Sequence, residues 1–72
     1  MSTPDIVSKN IRTARVEAGL SREALAGLLG VSLATLVRYE TGRSTDISMK
    51  KMLVIAHATG KPLDYFLSEA AA

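Results

Sequence analysis

The sequence contains no cysteine, which excludes a disulfide framework and any thiolate zinc site as the source of stability in so small a chain. Folding must rest on a hydrophobic core, helped at most by association with a second copy. Aromatic residues are scarce as well: Tyr39, Tyr65 and Phe66 are the whole set. Beside abundant Leu, Ala, Ile and Val, that scarcity argues against a sheet of aromatic and β-branched strands and for short packed helices. No apolar run approaches the roughly 20 residues of a membrane-spanning helix, and the amino terminus lacks a basic segment leading into an apolar stretch. A soluble, cytoplasmic protein is expected. Length excludes more: 72 residues, 47% of them apolar, give one compact domain over 1–72 with frayed ends at 1–3 and 70–72, not a two-domain enzyme with an interdomain cleft. The single histidine, His57, has no partner at metal-ligand spacing and no nucleophile to serve, and no glycine-rich loop is suited to phosphate. Neither an enzyme nor a cofactor is expected.

Nine Lys and Arg against seven Asp and Glu give a net charge of +2 and a pI near 9.3, a mildly basic balance that permits nucleic-acid binding without demanding it. Punctuation along the chain is clear. Thr3-Pro4-Asp5 reads as a helix start, and the stripe Val7, Ile11 and Ala14 carries a first helix from Pro4 to Ala18, with Lys9, Arg12 and Glu17 solvated and Gly19 as its stop. Ser21 caps a second helix, Arg22–Leu29, which Gly30 ends; Ser32 caps a third, Leu33–Thr41, which Gly42 ends. After a polar loop over Arg43–Ile47, Met49, Met52, Leu53 and Ala56 mark the buried stripe of a fourth helix, closed by Gly60. Pro62 opens a fifth that reaches Ser68 on the apolar residues Leu63, Phe66 and Leu67.

The stretch Arg22–Tyr39 meets the steric needs of a helix-turn-helix at each restrictive position. Ala26 stands where the two helices cross, and a large side chain there would force them apart. Gly30 occupies the turn, where positive φ costs other residues about 1 to 2 kcal/mol. Leu25, Leu29, Val31 and Leu36 surround the crossing, each contributing roughly 1.5 to 3 kcal/mol when fully buried. At about 100° per residue, Leu33, Ala34, Val37, Arg38 and Thr41 share one sector of the third helix while Leu36 points the opposite way. Gly27, within the second helix, is unfavourable by about 1 kcal/mol relative to Ala, and the sequence gives it no firm reason, close approach of a nucleic-acid backbone being one candidate.

The segments IRTARVEAGLSREALAGLLGVSLATLVRYETGR and KMLVIAHATGKPLDYFL resemble the phage repressor and Cro-like helix-turn-helix family, also called the xenobiotic-response-element type, over nearly the whole chain. The resemblance implies an all-α, five-helix, lambda-repressor-like bundle whose second and third helices form the DNA-reading unit, usually as a homodimer on a two-fold operator. It places the base-reading positions on Ser32, Leu33, Ala34 and Arg38, with Thr35 and Val37 as near neighbours. It also matches Arg15 and Glu40 to a pair that ties the first helix to the end of the third. Arg38 can offer its fork to guanine O6 and N7, or clamp a phosphate. Leu33 and Ala34 stand where relatives often carry polar readers, and contact with thymine methyl groups is the expectation for them.

Ser21, Arg22, Thr41, Arg43 and Ser44 bracket the motif and are read as phosphate contacts, which position a domain without specifying sequence. Blander alternatives stand beside these readings. Arg22 with Glu23 can be a solvated helix start, Lys50-Lys51 a charged face, and Leu33 with Val37 a contact for a protein. Leu63, Phe66 and Leu67 are core, dimer seam or both. The expected function is a repressor or Cro-type regulator of a prokaryotic or phage-infected cell, acting at the nucleoid on double-stranded DNA with a near-palindromic operator. No membrane and no small-molecule ligand enter that expectation, and an antitoxin or protein-binding adaptor is the alternative.

Overall fold

Three serines open three of the helices by the same chemistry. Ser21, Ser32 and Ser48 each sit in extended backbone, and their side-chain oxygens accept the amides of Ala24 (3.0 Å), Thr35 (3.1 Å) and Lys51 (3.2 Å). Each bond satisfies a first-turn amide that the helix itself leaves without a partner, a stabilisation of about 1 kcal/mol relative to Ala. The computed structural model describes residues 3–43 and 47–69. The caps start α2 (Arg22–Leu29), α3 (Leu33–Thr41) and α4 (Met49–Thr59), which follow α1 (Thr3–Glu17). Among the described residues there is no strand, and the last element is a 3-10 helix, Leu63–Leu67, in place of a fifth α-helix. Of the expected frayed ends, Met1, Ser2 and Ala70–Ala72 lie outside the described residues, whereas Thr3 opens α1.

Only Gly30, Val31 and Ser32 separate α2 from α3. Gly30 makes this possible at φ +69°: with the chain turned left-handed there, the Val31 amide reaches back to the Ala26 carbonyl at 3.1 Å and closes the end of α2. The short turn brings Leu25, Ala26 and Leu29 of α2 against Leu36 and Tyr39 of α3, and Ile11 and Ala14 of α1, Ile55 and Ala56 of α4 and Phe66 complete one buried cluster. Gly42 ends α3 at φ +77°, and here space matters as well as angle. A Cβ on Gly42 would lie 2.8 Å from Asp5 Oδ1, so the first turn of α1 passes close over the end of α3.

The inward face of α4 differs from the expected stripe. Met49 and Leu53 are 64% and 51% exposed, while Ile55 and Ala56 are buried and Met52 is partly so. Met52, Leu53, Val54, Ile55 and Ala56 are consecutive apolar residues, so periodicity offers two faces and packing against α2 and α1 chooses the one centred on Ile55. Leu53 lies about 160° from Ile55 around such a helix and faces out. With Leu28 of α2, Val54 and Ala58 it lines an apolar groove of about 400 Å³ rimmed by Lys50 and His57.

The C-terminal turn is corrected too. At about three residues per turn instead of 3.6, Leu63 and Leu67 stand about 120° apart and no longer share a stripe. Phe66 is buried (1% exposed), Leu67 is 63% exposed and Leu63 lies at the margin, so Phe66 belongs to the core and offers no surface to a partner. Asn10 holds this turn in place. It is fully buried on α1, and its Nδ2 donates to the carbonyls of Tyr65, Phe66 and Ser68 at 3.1, 3.0 and 3.1 Å. Three acceptors converging on one amide fix which end of Asn10 faces them; Oδ1 is buried with no partner among the described residues.

Candidate nucleic-acid interface

The sector expected to face outward from α3 does so. Leu33 and Val37 are 44% and 38% exposed, and Ala34, Arg38 and Thr41 are exposed, whereas Leu36, Tyr39 and Glu40 are buried. One helix therefore has an inward side welded into the bundle and an outward side free of it. At the start of that outward side, Ser32 and Thr35 form a closed pair: the Ser32 hydroxyl accepts from the Thr35 amide at 3.1 Å and donates to the Thr35 hydroxyl at 3.0 Å. The two hydroxyls share one hydrogen between them, so the pair has one hydrogen left for an outside acceptor. Arg38 has no ion pair among the described residues, so its guanidinium is uncommitted.

The inward side is fixed by charge as well as by packing. Glu40, with a side chain 1% exposed, meets Arg15 Nε at 2.6 Å through Oε2 and Arg15 Nη2 at 3.4 Å through Oε1. Arg15 also donates from Nη1 to the Leu20 carbonyl at 2.9 Å, which satisfies the carbonyl side of the turn after α1. The resemblance matches Arg15 to Glu40; the structure adds a third member. Arg22 Nε lies 3.2 Å from Glu40 Oε1, with its side chain 47% exposed. That engagement orients Arg22: Nε faces the buried carboxylate and the two terminal nitrogens are left for solvent or an incoming anion. Sequence spacing held no signal for it, because Arg22 and Glu40 are brought together only by the turn at Gly30.

The remaining expected phosphate contacts are unevenly placed. Ser21 is exposed, with its oxygen used by the Ala24 amide. Thr41 donates its hydroxyl to the Val37 carbonyl at 2.9 Å. Arg43 is exposed just beyond α3, and Ser44 lies outside the described residues. Between α1, α2 and the end of α3 a cleft of about 250 Å³ is lined by Arg12, Arg22, Val37, Glu40 and Thr41. Away from this side, Lys61 meets Glu17 at 2.9 Å and lies 4.9 Å from the centre of the Tyr65 ring. The hydrogen bond that Lys61 donates to Glu17 holds its ammonium above its ordinary pKa. No group of three or more His, Cys, Asp or Glu able to hold a metal occurs among the described residues, and no helix there is long and apolar enough to cross a membrane.

A profile of the helix-turn-helix family, of the Cro/C1 type, matches residues 11–66. The chain belongs to that family. Among curated relatives, this helix-turn-helix chain is 38% identical over 63 residues to an uncharacterized transcriptional regulator in the ATPase CF(0) region of Rhodospirillum rubrum. The match covers 88% of the chain and 57% of the relative. Among solved structures, the clp gene regulator ClgR of C. glutamicum is 27% identical with a TM-score of 0.83, over 99% of this chain and 91% of that one. The restriction-modification controller protein C.AhdI of Aeromonas hydrophila is 25% identical with a TM-score of 0.76, over 88% and 94%. Apo-HppE has the same fold over 96% of this chain and 38% of its own, with a TM-score of 0.84 at 22% identity. The helix-turn-helix chain thus spans a little over half of the curated relative and well under half of HppE.

Proposed function

We propose that this helix-turn-helix chain is a sequence-specific DNA-binding transcriptional regulator, a repressor or Cro-type protein of the cytoplasm that lays α3 in the major groove of a near-palindromic operator. The observation that carries the reading is the division of α3 into a buried side, held by Leu36, Tyr39 and the Glu40 ion pairs, and an exposed side of Leu33, Ala34, Val37, Arg38 and Thr41. A helix about 10 to 12 Å across fits a groove about 12 Å wide only when its reading side stands clear of its own domain. Arg38 then offers its fork to a guanine edge, the Ser32 and Thr35 hydroxyl pair its one remaining hydrogen, and Leu33 and Ala34 their carbon surface to thymine methyl groups. Arg22 and Arg43 act on phosphates, with Ser21, Thr41 and Ser44 beside them.

Size supports a homodimer. The longest extent of the Cα trace is 27 Å, while successive major grooves on one face of DNA lie about 34 to 36 Å apart. One copy cannot read both half-sites. Leu63 and Leu67, exposed on the C-terminal turn, are the proposed contact between copies. The relatives described as transcriptional and gene regulators support the regulatory role.

Selection of binding sites from random duplex DNA at two salt concentrations tests the function. An enriched, two-fold symmetric sequence is expected, and Arg38→Ala should flatten preference at one position per half-site by about 1 to 3 kcal/mol. Failure to enrich any sequence at either salt would reject the reading. It would favour the protein-binding alternative, which the outward Leu33 and Val37 also support.

A further inference from the structure

The cleft between α1, α2 and the end of α3 holds more positive charge than its own chain neutralises. Arg12 and Arg22 line it together with one carboxylate, Glu40, which Arg15 also pairs from within the bundle. Both oxygens of Glu40 are engaged, and Arg15 is consumed within the bundle by Glu40 and the Leu20 carbonyl. What remains facing the opening is the terminal pair of nitrogens on Arg22 and the whole of Arg12, which is exposed and has no ion pair or hydrogen-bond partner among the described residues. Arg12 lies one turn before Arg15 on the same side of α1, so the contact that anchors Arg15 to α3 also brings Arg12 to the cleft.

The other walls say where an occupant would lie. Val37 and Thr41 belong to the exposed sector of α3, so an anion in the cleft sits along the same flank of the bundle as Arg38. The Thr41 hydroxyl is already donated to the Val37 carbonyl, which leaves the two guanidinium groups as the donors. About 250 Å³ admits a tetrahedral oxyanion together with water, at about 30 Å³ of liquid volume per water.

We propose that this cleft seats one phosphodiester of the DNA backbone between Arg22 and Arg12, making Arg12 a phosphate contact supplied from α1. Arg22, with Nε tied to Glu40, presents its terminal nitrogens to two phosphate oxygens, and Arg12 closes from the opposite wall. The proposal rests on the DNA-binding reading given above and adds to it a contact from outside the two helices of the motif.

The test compares the full chain with Arg12→Gln on duplexes bearing the selected operator, by fluorescence anisotropy across salt. Loss of one phosphate contact lowers the slope of log affinity against log salt by about 0.9, so the defect should be about 3.5-fold larger at 50 mM than at 200 mM. The order of preference among operator variants should not change. On a series of duplexes each neutralised at one phosphate by methylphosphonate, a single substitution should abolish the difference between Arg12→Gln and the unaltered chain. Arg12 is exposed and unpaired, so the thermal melt of the variant should match that of the parent. An Arg12→Gln variant with unaltered affinity and slope, alongside a parent that binds, overturns the proposal and leaves the DNA-binding reading intact; so does a defect of equal size at every salt concentration. A parent that binds no duplex overturns both.

Discussion

Replacing Glu40 by Gln keeps the shape of the side chain and removes the charge on which two arginines converge. The consequence depends on burial. Arg15 is 10% exposed at its side chain and Arg22 47%, so the loss strands Arg15 away from water while Arg22 is simply resolvated. Removing one partner of a buried pair costs about 3 to 5 kcal/mol, whereas an exposed pair contributes about 0 to 1. The expected loss for Glu40→Gln is therefore about 3 to 5 kcal/mol, nearly all of it through Arg15.

For a chain of 72 residues a total stability of about 4 to 11 kcal/mol is ordinary, so this one substitution removes from about a quarter to all of it. Urea unfolding followed by circular dichroism measures the effect. At a slope of about 1 kcal/mol per molar, the midpoint should fall by about 3 M or more. The double variant Arg15→Met with Glu40→Leu removes both charges, and it should lose far less than the sum of the single variants because neither group is left unpaired. Arg22→Ala should cost no more than about 1 kcal/mol. A Glu40→Gln variant within about 1 kcal/mol of the parent, or singles that add in the double, would refute the account of α3 as a helix held by a buried charge.

Asn10→Ala removes three hydrogen bonds to the C-terminal turn at once; hydrogen exchange at Phe66 to Ser68 should accelerate while protection in α2 and α3 persists, and uniform loss of protection would count against a local anchor. Gly27 is exposed, and a Cβ there meets nothing within 4 Å, so Gly27→Ala should raise stability by about 0.5 to 1 kcal/mol in thermal unfolding. If that variant also binds DNA as tightly as the parent, close approach of a phosphate backbone is not the reason for the glycine. Leu67→Lys should raise the dimer dissociation constant in sedimentation equilibrium; a monomer produced instead by Leu53→Lys would move the interface to the groove between α2 and α4.

Much of this fold was legible because local chemistry and packing agree. Ser21 and Ser32 as caps and Gly30 and Gly42 as stops bound α2 and α3 to the residue, and Leu36 opposite Ala34 and Arg38 decides which way α3 turns. Legibility ends where several faces are apolar or where the partner is distant. In α4 five consecutive apolar residues leave the inward side to be chosen by α2 and α1, so Met49 and Leu53 were expected in the core and lie outside it. The C-terminal turn fails for a related reason: its wheel depends on residues per turn, and a 3-10 helix separates Leu63 from Leu67. Asn10 and Arg22 act through partners 55 and 18 residues away; no periodic pattern announces such contacts. The exposure of the Arg38 face of α3 was foreseeable, while what each of its side chains touches is a proposal.

The polar capacity of that face bears on how the proposed regulator could be selective at all. Of the residues turned outward on α3, only Arg38 can make a bidentate contact to a base, and the Ser32 and Thr35 pair at its start adds one hydroxyl hydrogen. A good bidentate pair discriminates by about 1 to 3 kcal/mol, so two half-sites read through Arg38 alone supply about 2 to 6. Specific complexes exceed nonspecific ones by about 4 to 10 kcal/mol. The shortfall has to come from Leu33, Ala34 and Val37, whose carbon surfaces discriminate only by fitting thymine methyl groups, and from the shape of the duplex between half-sites. A single copy would have half the polar contribution and no sensitivity to spacing. On this arithmetic a monomer of this chain binds DNA largely through phosphates, and selectivity emerges with the second copy, so weakening the contact between copies should erode operator preference before it erodes general affinity for DNA.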